Sequence, residues 1–190
     1  MPGLAAEWDV SDDGLTYTFR LQEGVTWHDG KPFTAADVVF SLTEFLPEVH
    51  PRARGVLSHV DTVVAEDDLT VVVTLKAPFP AFLKAFEVSS APMIPAHLYQ
   101  GTDYRENPAN AEPVGTGPFK LSDWQRGSFI RLEKNEDYWQ DGKPYLDELV
   151  FNIVPDAASR AVAFETGDVD VLRGGDIEYF DVKRLAAMSG

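Results

Sequence analysis

A short cationic segment, residues 48–55, holds the side chains best suited to bind a charged ligand. His50, Arg52 and Arg54 alternate along it, in a chain whose formal net charge is -15. An arginine guanidinium can hold a carboxylate through two parallel hydrogen bonds, so the segment predicts a site for an anionic group. The competing interpretation is a solvated loop without a ligand, and the sequence leaves both open.

Acidic pairs and a His-Asp dipeptide are the other candidates for chemistry. Glycoside hydrolysis needs two carboxyl groups about 5 to 9 Å apart across a cleft. The acidic pairs here fall in predicted turns that face water: Asp12 with Asp13, residues 66–68, and Asp168 with Asp170. His28 and Asp29 are adjacent, but the four histidines are scattered without the close spacing of metal ligands. No Gly-x-Ser-x-Gly context occurs either, so we expect no catalytic residue, no metal and no cofactor.

The segment Gly115-Thr116-Gly117 superficially resembles a phosphate-binding loop. Pro118 removes a backbone donor directly after it, and no Lys-Ser or Lys-Thr pair follows. We therefore interpret the segment as a bend at the entry of a strand.

The composition excludes several classes of protein. With 16 basic against 31 acidic residues, the chain lacks the clustered positive charge of a nucleic-acid-binding surface. It has no cysteine, which removes thiol catalysis, thiolate metal sites and disulfides. The apolar runs are far shorter than the roughly 20 residues of a membrane helix. Residues 1–6 lack a secretory-signal pattern, so an exported protein would have been cut from a longer precursor.

Alternating apolar and polar residues predict two hairpins in the first half of the chain. A strand over residues 4–10 leads through an Asp-Gly turn into a strand in which Tyr17, Phe19 and Leu21 share one face. Two β-branched runs within residues 59–75 flank an acidic turn and predict the second hairpin. We expect the shared apolar face to lie in the core.

Helix signals lie between and after these hairpins. Thr34 and Asp37 have the spacing of an N-terminal cap, and the helix should run from residue 35 to about 45. Pro47 is expected to close it. The remaining predicted features of this half are short helices over 81–86 and after 92, and a polar connection between subdomains over 101–113.

The second half alternates strands with helices, which is typical of an α/β arrangement. Asp156 can cap a helix that ends at Gly167, a residue suited to a left-handed C-terminal cap. A final helix is expected over about 177–188. The predicted strands cover residues 119–124, 129–133, 148–154 and 169–172.

Nearly the whole chain carries an ordered set of motifs. They are LAAEW at 4–8, DGLTYTF at 13–19, WHDGKPFTAADV at 27–38, PVGTGPF at 113–119, NEDYW at 135–139, GKPYLD at 142–147 and GDVD at 167–170. Each motif alone is an ordinary turn or cap, so most of these residues should serve folding. In this order and approximate spacing they resemble the dipeptide- and oligopeptide-binding proteins, which are extracellular solute-binding proteins of family 5.

The resemblance implies a mixed α/β, periplasmic-binding-protein-like fold of type II, in which two lobes close on a ligand. The chain resembles part of the first lobe, with residues 1–112 as its accessory subdomain and 113–190 as part of its main α/β subdomain. The second lobe, which in the best-known relatives supplies an Asp that pairs with a peptide's amino terminus, is expected to be absent here.

For function, the resemblance implies the solute-binding component of an ABC importer, which delivers peptides or similar small solutes to a membrane permease. Such a protein is periplasmic or otherwise extracytoplasmic, contacts the membrane only through the permease, and binds no nucleic acid. It carries out no chemistry. A hydrolase of peptides or glycosides, and a cytoplasmic sensor with the same fold, are the alternatives.

The resemblance also indicates candidate ligand contacts. The cationic segment falls where relatives have pocket-lining residues of the accessory subdomain. Two serines before a proline bend, and an arginine after the last predicted strand, correspond to regions that face ligand in relatives. The predicted ligand-binding residues are therefore His50, Arg52, Arg54, Ser89, Ser90 and Arg173.

Overall fold

The computed structural model describes residues 3–86, 90–173 and 175–188. Helices and sheets are mixed, as expected, and the chain divides into two compact units. The first unit comprises Met1–Lys120 and Lys134–Tyr145, and the second comprises Leu121–Glu133 and Leu146–Gly190. The division at residues 112 and 113, which concerns the subdomains of a lobe, stays a prediction.

A four-stranded antiparallel sheet is the scaffold of the first unit. Its strands lie in the order β1 (Ala5–Val10), β2 (Thr16–Leu21), β4 (Thr70–Leu75) and β3 (Val60–Ala65). Both predicted hairpins are confirmed. Since side chains alternate across a strand, β2 and β4 each direct three side chains to the same face, and all six are buried: Tyr17, Phe19, Leu21, Val71, Val73 and Leu75.

The helix after this sheet's first hairpin begins where the sequence predicts and continues beyond its expected end. Helix α1 (Ala35–Phe40) leads into a π-helical turn, Ser41–Phe45, and then into α2 (Leu46–Val49). The expectation that Pro47 closes the helix is wrong. Pro47 is the second residue of α2 and lies directly after the π-helical turn, inside a continuous helical stretch.

The Asp37 carboxylate anchors the start of α1 and is only 5% exposed. One oxygen, Oδ2, accepts from the backbone N–H of Thr34 at 3.0 Å and from the indole N–H of Trp27 at 3.2 Å. The other, Oδ1, accepts from the backbone N–H of Ala96 at 2.9 Å. The predicted cap is therefore also a tertiary contact, which fixes α1 to two distant segments.

Four short helical segments complete the helices of the described part of the first unit. They are helix α3 (Pro51–Leu57), a 3-10 helix over Phe82–Ala85, helix α4 (Ala96–Tyr99) and a 3-10 turn over Pro108–Asn110. The side chain of Phe82 is fully buried, and its ring meets that of Tyr17 edge-on with centroids 4.9 Å apart. The first 3-10 helix thus packs directly on the inner face of the sheet.

His28 fastens the bend that precedes β5 (Phe119–Gln125). The backbone N–H of Gly115 donates to His28 Nδ1 at 3.2 Å, so Nδ1 is an acceptor and the ring is neutral, with its proton on Nε2. This proton is donated to the Gly117 carbonyl at 3.0 Å. Burial lowers the pKa of His28, and the nearby Lys120 charge acts in the same direction, against the opposing effects of the Gly117 carbonyl and Asp29. The predicted strand-entry bend is confirmed.

The described part of the second unit contains a three-stranded sheet and two helices. The strands lie in the order β5, β6 (Phe129–Lys134) and β7 (Glu148–Asn152), with β6 and β7 antiparallel. Helix α5 (Ala157–Thr166) is capped as predicted: the N–H of Ser159 donates to Asp156 at 2.7 Å, and Gly167 has a φ of 78°. Helix α6 (Tyr179–Ala186) packs on α5.

The predicted strand over residues 169–172 is wrong. The stretch has no regular secondary structure and bends at Asp170, the described residues provide it with no strand partner, and Val171 is 77% exposed. Alternating apolar residues become a strand only where a neighbour satisfies their backbone groups. No helix within the described ranges is long and apolar enough to cross a membrane.

Candidate functional site

A cavity of about 270 Å³ lies in the first unit, where helix α3 (Pro51–Leu57) packs against the 3-10 helix. Most of its lining side chains are apolar. Two are cationic, and none of those described is acidic. The lining residues are Leu42, Arg52, Ala53, Val56, Leu57, Phe79, Ala81, Lys84, Ala85, Phe86, Ser90 and Ala91.

His50 sets where α3 begins. Its backbone is extended, with φ -114° and ψ 97°, so it ends α2 and serves as the N-cap of α3. Its Nδ1 accepts from the backbone N–H of Ala53 at 3.0 Å, which satisfies one of the free donors of the first turn. Pro51 follows at the first helical position, which favours the same start. His50 therefore positions one wall of the cavity and is not itself among the lining residues.

Arg54 holds α3 against α2. Its guanidinium donates to the carbonyl oxygens of Pro47 at 2.6 Å and Glu48 at 2.7 Å, which lie in the last turn of α2. These charge-assisted hydrogen bonds occupy the fork that would otherwise bind a carboxylate. The structure thus gives Arg54 a scaffold contact in place of a free cationic head.

Arg52 and Lys84 form what we call the cationic rim of the cavity. Both residues are exposed and both line the cavity, one from α3 and the other from the 3-10 helix. Neither side chain has a carboxylate within ion-pair distance among the described residues. The chain has a net charge of -15, so two cations without a carboxylate partner beside one apolar cavity are an exception to its acidic character.

The opposite wall is held by aromatic packing on the sheet. Phe86 meets Phe19 with ring centroids 5.3 Å apart, and it meets the buried Phe82 edge-on at 5.0 Å. Phe79 stacks on His59 at 4.4 Å. Such ring pairs add to the burial energy of the aromatic side chains, so this wall is preformed.

Two of the six predicted ligand-binding residues line the cavity. They are Arg52 and Ser90, and Ser90 is only 7% exposed. Ser89 lies outside the described residues. Arg173 belongs to the second unit, where its side chain is 84% exposed and lies 3.6 Å from the Asp176 carboxylate. As ligand contacts, all six remain predictions.

Lys84 and the apolar walls were missed by the sequence reasoning. The Pro-bracketed segment around Lys84 was expected to be a short helix, but its pattern does not show which side faces the cavity. One signal in the sequence could have placed α3. It is the pair His50 and Pro51, because an extended residue followed by proline is typical of a helix start.

The residues that the sequence offered for catalysis or metal binding make contacts that hold the fold. Asp29 Oδ2 lies 2.7 Å from His97 Nε2, and the neighbouring His28 is occupied by backbone groups, so the His-Asp dipeptide is divided between two contacts. Asp13 and Asp67 accept hydrogen bonds from the backbone of their own turns. Among the described residues no group of three or more His, Asp or Glu side chains is arranged to hold a metal ion.

Comparison with known proteins identifies relatives along nearly the whole chain. The family model described as bacterial extracellular solute-binding proteins, family 5 middle, matches residues 1–187. The glutathione-binding protein GsiB of Pectobacterium atrosepticum is 40% identical over 167 residues. That alignment covers 87% of this chain and 32% of the relative, so the chain spans about a third of the length of the curated relatives it matches.

Solved structures agree with the expected fold. The oligopeptide-binding protein AppA of Bacillus subtilis, in complex with a nonapeptide, has a TM-score of 0.86 and 30% identity, covering 97% of this chain and 37% of AppA. The periplasmic binding protein DppA of Helicobacter pylori, in complex with the peptide STSA, has a TM-score of 0.83 and 31% identity, covering 98% and 40%. These matches confirm a mixed α/β, periplasmic-binding-protein-like fold, of which this chain is a part.

Proposed function

The chain belongs to the bacterial extracellular solute-binding proteins of family 5, and we propose that the protein is the solute-capture component of an ABC importer. In this proposal it binds peptides or similar small solutes and delivers them, chemically unchanged, to the permease subunits. It works outside the cytoplasm and meets the membrane only through the permease. Nucleic acid is not a partner, in keeping with the net charge of -15.

The observation that carries this proposal is the preformed cavity in a member of a solute-binding family. Small-molecule sites are mostly apolar cavities with a few polar groups that fix orientation, and this cavity has apolar walls, the cationic rim and Ser90. The named relatives bind glutathione, a nonapeptide and the peptide STSA. Peptide-like solutes are therefore the class we propose.

Within this proposal the predicted site residues take different roles. Arg52 and Ser90 contact ligand from the cavity, whereas His50 and Arg54 position α3 through backbone contacts. Ser89 and Arg173 are proposed as contacts on the family resemblance alone. The proposed lobe assignment keeps residues 1–112 as accessory subdomain and 113–190 as main subdomain.

The test is ligand binding by the full-length protein. Glutathione and peptides of two to nine residues are titrated by calorimetry, and bound solute is then released and weighed by mass spectrometry. We expect binding of at least one of these compounds, with its mass unchanged. Hydrolysis of the bound compound by the purified protein would refute the transport role in favour of an enzyme.

A cavity-filling variant ties the binding to this site. Ala85→Trp places an indole in the cavity, and Ala36→Trp, at an exposed position of α1 outside the cavity, is the matched control. We expect Ala85→Trp to weaken binding by about tenfold or more, because the side chain displaces ligand contacts worth at least ~1.4 kcal/mol. Equal affinity of the two variants would show that ligand binds elsewhere.

A further inference from the structure

The two cations of the rim lack a side-chain partner among the described residues, as some other exposed cations do, but they are distinguished by lining the cavity. Arg20 pairs with Glu7 and Asp9, and Arg54 donates to two carbonyl oxygens. Arg52 and Lys84 are left without a hydrogen-bond or ion-pair partner among the described residues, from two different elements that meet at one cavity. Their charges are therefore available to a ligand.

The cavity beside them suits an apolar side chain. A cavity of about 150 Å³ with apolar walls holds benzene, so a volume of about 270 Å³ has room for a branched or aromatic side chain. Low-dielectric walls also strengthen an ion pair at the rim relative to one in open water. An apolar group and a negative charge on neighbouring atoms would satisfy both features at once.

We infer that this site binds the carboxyl-terminal residue of a short peptide, with its carboxylate on Arg52 and Lys84 and its apolar side chain in the cavity. The inference rests on the proposed function and narrows its substrate class to solutes with a free carboxylate beside an apolar branch. Arg52 supplies a planar fork for the two carboxylate oxygens, and Lys84 supplies a point charge. Ser90 is the remaining polar residue in the lining.

The experiment uses the full-length protein and three peptide probes. The probes are Ala-Ala-Leu with a free carboxylate, the same peptide as its carboxyl-terminal amide, and Ala-Ala-Ala with a free carboxylate. Calorimetry compares the unchanged protein with the double variant Arg52→Gln/Lys84→Gln. The matched control is Arg105→Gln/Lys31→Gln, which removes the same charge from two exposed residues of the first unit outside the cavity.

We expect the unchanged protein to bind the acid about 10-fold to 100-fold more tightly than the amide, the range given by one charge-assisted hydrogen bond or slightly more. The rim variant should lose this preference and keep its affinity for the amide, and the control should retain it. Ala-Ala-Ala should bind more weakly than Ala-Ala-Leu, since it leaves the cavity empty. Both rim residues are exposed, so the variant is expected to fold.

The possible failures are distinguishable. Equal binding of acid and amide by the unchanged protein, or a preference that survives in the rim variant, overturns this inference while peptide capture stands. Loss of the preference in the control as well shows a general charge effect and overturns the inference too. Binding of none of the three probes, nor of any compound in the wider panel, overturns the proposed function and this inference with it.

Discussion

Replacing Asp37 should lower the stability of the first unit more than any change at an exposed carboxylate. Its two carboxylate oxygens accept three hydrogen bonds, from N–H groups of Trp27, Thr34 and Ala96. Asp37 itself is only 5% exposed. Asp37→Asn keeps the shape and replaces one acceptor oxygen by an NH2 group. If the amide oxygen faces Trp27 and Thr34, the NH2 group faces the N–H of Ala96, and two donors oppose each other.

The magnitude follows from counting these contacts. Hydrogen bonds to charged groups contribute about 1.5 to 3 kcal/mol each, and a buried donor left unpaired costs about 1 to 3 kcal/mol. Asp37→Asn loses one such bond and weakens two, so we expect a loss of about 2 to 3 kcal/mol in the free energy of unfolding. Asp37→Ala leaves all three donors unpaired, and we expect about 4 to 6 kcal/mol, a large part of a typical domain's stability.

Urea unfolding followed by tryptophan fluorescence measures these losses from the transition midpoint at constant slope. Asp12→Asn, at an exposed turn position, is the matched control and should change the free energy of unfolding by less than about 0.5 kcal/mol. If Asp37→Asn unfolds at the same urea concentration as the unchanged protein, Asp37 is not the acceptor on which the start of α1 depends, and the reasoning is refuted.

Three further predictions concern other contacts of the scaffold. Ser41→Ala removes the buried hydroxyl that accepts from the N–H of Ile94 at 2.8 Å, and urea unfolding should show a loss of about 1 to 3 kcal/mol. Folding lowers the pKa of His28, so the unfolded chain binds more protons just below pH 6.5. The contribution of neutral His28 to stability is therefore complete above about pH 6.5 and declines as the pH falls toward the folded pKa. The free energies of unfolding at pH 7.5 and 5.5 should differ less in His28→Gln than in the unchanged protein, and an unchanged difference would contradict the assignment. Arg54→Ala should lower the thermal midpoint through its lost carbonyl contacts, whereas Arg52→Ala should leave it within error, and equal effects would show that the two arginines have the same role.

The sequence predicts the sheet of the first unit well because its hairpins are local. Alternation in β2 and β4 specifies the buried face, and the turns between neighbouring strands specify their pairing. The pairing of β2 with β4 joins distant segments, but it follows once both hairpins share one apolar face. The caps at Thr34 and Asp156 were also predictable, since each depends on residues within one helical turn.

The failures share a different cause, which is dependence on residues far away in the chain. The stretch 169–172 has the pattern of a strand and lacks a partner among the described residues. Pro47 looks like a helix terminator, yet the helical stretch continues from the π turn through Pro47 to Val49. Asp37 reads as a local cap, and its bonds to Trp27 and Ala96 appear only in the folded molecule.

The cationic segment shows how secondary structure decides which side chain is available to a ligand. Read as a loop, residues 48–55 offer Arg52 and Arg54 equally. In α3 they are two positions apart, and at 3.6 residues per turn this separates their directions by about 200°. Arg54 is therefore turned toward the carbonyl groups of α2, and Arg52 toward the cavity. Lys84 then joins Arg52 from a segment about thirty residues away, a pairing that depends on how the 3-10 helix packs against α3 and that no pattern within the cationic segment contains.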